Sequence, residues 1–154
     1  MSNAKQPDDR RQPPDPFGLE RFLEAQEGTY ARAVAELRQG AKQSHWMWYI
    51  FPQIQGLGRS AMAQKYAIAS LDEAKAYLDH PILGLRLREC TRLVIAMKGS
   101  PIEDILPYPD DLKFHSSMTL FAHAAADNQI FLDALQNFFR AEFDSATLAR
   151  ALRF

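Results

Sequence analysis

Lys42-Gln43-Ser44-His45-Trp46-Met47-Trp48-Tyr49-Ile50-Phe51-Pro52-Gln53 is the stretch on which the fold turns. It holds both tryptophans of the chain and sets a lysine, a histidine and two glutamines among large apolar and aromatic side chains. Burying one such side chain stabilises a fold by roughly 1.5–3 kcal/mol. Polar groups packed beside them need partners or an opening to water. The segment is therefore either an anchor of the core or the wall of a pocket. Trp46 to Phe51 is β-prone, but a strand needs neighbours and the rest of the chain offers few. A short helix capped by Ser44 and ended before Pro52 fits better.

Outward from that segment the chain reads as short helices with start and stop signals. Asp15-Pro16 opens the first, with Leu19, Phe22, Leu23 and Gln26 on one face. Tyr30, Val34 and Leu37 mark a second from Thr29 to Gln39, stopped at Gly40. Ser60 caps a helix to about Ala69. Ser70-Leu71-Asp72-Glu73 and Ser100-Pro101-Ile102-Glu103 read as capping boxes. Pro81 begins what reads as the longest helix, with a buried stripe of Leu83, Leu87, Cys90, Val94 and Met97, and Gly99 ends it. Helices from about Asp111 to Ala125, from a cap at Asp127 through Phe139, and from Ala146 to Arg153 behind Asp144 complete the chain. Pro107-Tyr108-Pro109-Asp110 is a turn or loop. The expectation is an all-α single domain of roughly eight short helices over residues 15–154. Residues 1–14 read as a polar disordered tail, with Ser2-Asn3-Ala4 resembling the remnant of an expression tag.

Composition narrows the function classes. The chain has 154 residues, 47% of them hydrophobic and 24% charged, which is enough for one globular core. A net charge of −1 gives no overall field toward nucleic acid or a membrane. No apolar run is long enough to span a bilayer. A single cysteine, Cys90, excludes an internal disulfide and fits a reducing cytoplasm. On the apolar stripe it should be an inert thiol.

Candidate chemistry concentrates in two strings. In the first, His45 has acid–base capacity, although its plainer role is a core-edge histidine bonded to backbone. Trp46 and Trp48 are about 200° apart on a helix, so one can anchor the core while the other lines a cleft and stacks on a planar ligand. The second string is Asp110-Asp111-Leu112-Lys113-Phe114-His115-Ser116-Ser117-Met118-Thr119-Leu120-Phe121. Phe114, Met118 and Phe121 share one helix face; His115, Ser116, Thr119 and His123 share the opposite one. Asp110 and Asp111 sit where a helix start needs carboxylates, and a catalytic carboxylate is the sharper alternative. His115 and His123 are about 12 Å apart along a helix, too far for one metal, and no ligand motif or cofactor loop is present. Arg88 and Arg92 give the Pro81 helix a basic side that can hold a phosphate or pair with Glu89 and Glu73.

Taken together, Lys42-x-Ser44-His45-Trp46-Met47-Trp48-x-x-Phe51-Pro52-Gln53, Gly56-Leu57-Gly58, the run Glu73 to Gly84 through His80-Pro81, Asp111-Leu112-Lys113 and Ser116-Ser117-Met118-Thr119-Leu120-Phe121 resemble the domain-of-unknown-function family 1810. The resemblance spans about Phe17 to Leu152. It implies a compact all-α bacterial domain and no established activity. In that family the position of His115 is usually basic, which argues against an essential catalyst there. Members often carry the label calpastatin, yet inhibitory calpastatin repeats are disordered and aromatic-poor, the opposite of this chain.

Two functions follow as expectations. The first is a small-ligand pocket that binds or acts on a nucleotide-like or ADP-ribose-like anion. In it Trp46 or Trp48 stacks on the base. Lys42, Arg59 and Lys113 hold anionic groups, with Ser44, Gln53 and Ser116 as further ligand contacts, and His45, Asp111 and Ser117 do acid–base or positioning work. The second is an adaptor whose aromatic surface receives a protein partner. The first needs Lys113 and His45 to converge on one hollow; the second needs an apolar patch without convergent polar groups.

Overall fold

The computed structural model describes residues 14–152, and over them the chain forms ten α-helices and no strand. The tail reading falls on residues outside that range, apart from Pro14. The helices are α1 (Glu20–Gln26), α2 (Tyr30–Arg38), α3 (Met47–Ile50), α4 (Ala61–Lys65), α5 (Leu71–Asp79), α6 (Leu83–Ile95), α7 (Ile102–Ile105), α8 (Asp110–Ala124), α9 (Gln129–Phe139) and α10 (Ser145–Ala151). The count is ten where roughly eight were expected, and three of them, α3, α4 and α7, are of only four or five residues.

The longest helix is α8, with 15 residues against 13 in α6, which corrects the reading from Pro81. It is buried on nearly all sides and packs against α5, α7, α9 and α10. A helix in that position needs apolar or satisfied residues all round, and its sequence is apolar and hydroxyl-rich rather than amphipathic. Around it, α6 packs on α2, α5 and α9 with Leu83, Leu87, Cys90 and Val94 inward. The core runs through Phe22, Trp46, Phe51, Tyr77, Phe114 and Phe121, all fully buried. The edge-on contact of Phe51 and Phe114, centroids 4.9 Å apart, fastens the tryptophan string to α8.

Capping separates the signals that hold from those that do not. Asp15 accepts from the amides of Leu19 and Glu20, Ser60 from Ala63, Ser70 from Glu73 and Asp144 from Thr147. Ser100 and Asp127 cap nothing: α7 starts behind Pro101, and α9 starts behind Asn128, whose side chain instead donates to the Ala122 carbonyl. An unforeseen cap is His80, whose Nδ1 accepts from the amides of Ile82 and Leu83 and so leaves the proton on Nε2. Four residues after His80, a Cβ at Gly84 would lie 2.0 Å from the Leu78 carbonyl oxygen. Only glycine allows α5 and α6 to pass that closely. The helix from Ser60 ends at Lys65, short of the expected Ala69, because Ile68 leaves it to form an isolated parallel bridge with Ile54.

Candidate functional site

The site begins with a carboxylate on α2. The stripe Tyr30, Val34, Leu37 is rotated from the face that is buried, which is Ala33, Glu36 and Leu37. Glu36 is 8% exposed and reaches the tryptophan string. Its carboxylate accepts from the amides of Gln43 and Ser44, from the Ser44 hydroxyl at 2.5 Å and from the Trp46 indole at 2.9 Å. Burial alone would raise its pKa; these four donors outweigh that and hold it at about 2. The knot keeps residues 43–46 out of helical geometry, so Ser44 is no cap and α3 starts at Met47. Trp46 is thereby turned wholly inward.

Trp48 lies on the other side of the same turn, half-buried. Lys42 donates its amide to Ile105 and its ammonium to Asp110 Oδ2 at 2.8 Å, with its side chain only 8% exposed. Lys113, one turn along α8, stands 3.9 Å from Asp110 Oδ1 and 5.0 Å over the Trp48 ring. Between them opens a cleft of about 360 Å³ whose lining includes Lys42, His45, Trp48, Tyr108, Asp110 and Lys113. Tyr108, between two prolines that keep it in a loop, is 75% exposed on the rim. The cleft therefore takes from α8 only its first turn.

The remaining candidates lie elsewhere. Ser44 and Trp46 are occupied by Glu36. Gln53 lines a much smaller hollow behind Trp48. Arg59 is exposed outside the cleft, and its carbonyl accepts from Gln64. Asp111 and Ser117 are buried, each with one side-chain oxygen unpartnered among the described residues; neither lines the cleft, and no hydrogen bond joins either to His45. The hydroxyl stripe of α8 holds the C-terminal segment: Ser116 donates to Asp144, and the Asp144 amide donates to Thr119. His115 stacks on Phe139 and binds the Glu142 carbonyl. Glu36, Gln43 and Tyr108 were not among the expected site residues; a tyrosine fenced by prolines was the one local signal.

The basic side of α6 borders a hollow of about 520 Å³ shared with α9, where Arg92 pairs with Glu89 at 3.4 Å. Glu73 instead pairs with Arg21 at 2.8 Å. Burial pushes the Cys90 thiol up to about 12, so it stays protonated and unreactive. Among the described residues no cluster of three or more metal-ligating side chains occurs, and no helix is long and apolar enough to cross a membrane.

The family described as "Protein of unknown function (DUF1810)" matches residues 16–151. The crystal structure of the conserved hypothetical protein Rv1873 from Mycobacterium tuberculosis is similar, with 50% identity and a TM-score of 0.89, over 91% of this chain and 100% of that one. No curated protein matches.

Proposed function

The chain belongs to the DUF1810 family, and we propose that it uses the cleft between α3 and α8 to bind a small anionic compound of the nucleotide or ADP-ribose type. The observation that carries this reading is a charge imbalance on the cleft wall. Two ammonium groups, Lys42 and Lys113, face one carboxylate, Asp110, and Lys42 takes the short contact. Lys113 keeps a loose one and is left to meet an incoming anion, an interaction worth roughly 1–4 kcal/mol near a protein surface. Trp48 and Tyr108 offer flat faces for a base, and His45 also lines the cleft. The cleft volume is within the ~300–1,000 Å³ range of ligand pockets.

A thermal-shift screen against nucleotides and ADP-ribose derivatives tests the reading. A ligand at a hundred times its Kd stabilises by about 2.7 kcal/mol, and Lys113→Met and His45→Ala should reduce the shift. A flat response across the panel, unchanged by either variant, overturns it. The adaptor reading rests on Tyr108 and Leu112, both exposed at the cleft rim and the start of α8. It requires protein binding that survives Lys113→Met and fails in Tyr108→Ala.

A further inference from the structure

We infer that a second hollow, beside Gly56, is an oxyanion site centred on Arg150 and separate from the Lys113 cleft. This hollow measures about 420 Å³ and is lined by Ile54, Gln55, Gly56, Ser70, Leu71 and Arg150, together with two alanines. Among the described residues, Arg150 is its only charged lining residue. That sets it apart from the α6–α9 hollow, where Asp127 and Asp133 offset Arg88, Arg92 and Lys98, and from the cleft, where Asp110 sits between the lysines.

Arg150 lies in the last turn of α10 and has no hydrogen bond or ion pair among the described residues. Its guanidinium rests against the backbone of Gly56: a Cβ there would meet Nη1 at 2.5 Å and Cζ at 2.9 Å. Gly56 also has a φ of +98°, which side-chain-bearing residues rarely adopt. The loop thus supplies both the turn and the space that let the guanidinium lie close. A guanidinium is a rigid fork of donors that fits a carboxylate or a phosphate in two parallel hydrogen bonds. The Ser70 hydroxyl accepts from the Glu73 amide and keeps its own proton to donate. The Gln55 carboxamide has no partner among the described residues, while Ile54 and Leu71 supply apolar floor. These groups together suit a small organic oxyanion: a carboxylate or phosphate head on Arg150 and Ser70, and a flat or apolar body on the floor.

The test is an NMR titration of the ¹⁵N-labelled full chain with phenyl phosphate and, separately, benzoate. At least one should shift the Gly56 amide and the Arg150 Nε–Hε resonance saturably, and Arg150→Gln should weaken that binding at least tenfold. A response to phenyl phosphate alone assigns the head as a phosphate ester; a response to benzoate alone assigns a carboxylate. Lys113→Met should leave this binding intact, so failure of the cleft reading and failure of this one are distinguishable. The absence of saturable shifts at Gly56 and Arg150 with both probes, or equal affinity in Arg150→Gln, overturns the proposal.

Discussion

Trp46 and Trp48 stand two residues apart and do opposite work. Trp46 is fully buried, its indole nitrogen bonded to Glu36; Trp48 is half-buried, its ring under the Lys113 ammonium. The knot side of the string is closed and every donor around the carboxylate is used. The cleft side is open and carries one more cation than carboxylate. The difference comes from a partner on another helix, since one glutamate on α2 decides which indole turns inward.

Truncating each tryptophan should expose that contrast most strongly. Trp46→Ala removes a fully packed side chain and takes one of four donors from a buried carboxylate, and should cost about 3–5 kcal/mol in urea unfolding. Trp48→Ala should cost less, roughly 2 kcal/mol, because part of its surface is already in water. Equal losses would erase the distinction between the two sides.

Acidification probes the knot alone. The Glu36 pKa falls from 4.5 to about 2 on folding, so the unfolded chain takes up the proton first. The stabilisation is complete above pH 4.5 and is lost as the pH drops toward 2, on the order of 3 kcal/mol in total. Glu36→Gln should be less stable at neutral pH and lack that share of the acid loss. Stability curves that fall in parallel for the two proteins would remove Glu36 as the cause.

These two sides were unequally legible in the sequence. Helix faces made of apolar residues could be read directly: Leu83, Leu87, Cys90 and Val94 recur at helical spacing and are buried as expected. Glu36 could not, because a glutamate near a helix end looks solvated until the tertiary fold brings Trp46 to it. The hydroxyls of α8 misled for the same reason. Ser116 and Thr119 are consumed by Asp144, 28 and 25 residues away, and no local pattern announces that pairing. The meeting of Lys113 with Trp48 was foreseeable only as two dense strings that had to find each other. Asp110 and Asp111 are adjacent and chemically identical, yet only Asp110 reaches the cleft, because successive helical residues point about 100° apart.

Lys42 should fall between the extremes. It lines the cleft, yet its side chain is nearly as buried as Glu36 and its ion pair with Asp110 is short. Lys42→Met leaves the Asp110 carboxylate with only the distant Lys113 and should cost about 1–2 kcal/mol. Adding Asp110→Asn should recover part of that loss, since the stranded charge is then gone. A double variant no more stable than Lys42→Met alone would show that the pair does not couple the string to α8.

The smallest stability effect should accompany the largest effect on binding. Lys113 is a quarter exposed, and its contact with Asp110 is 3.9 Å long, so the loose pair adds little to the fold. Lys113→Met should change the unfolding free energy by no more than about 0.5 kcal/mol. Its methylene stem can still cover the Trp48 ring. The same substitution removes the cation left to face an anion, so the thermal shift given by a bound nucleotide should largely vanish. If Lys113→Met instead destabilised the free protein as much as Lys42→Met, Lys113 would be a structural partner of Asp110. The cleft wall would then have no cation to spare.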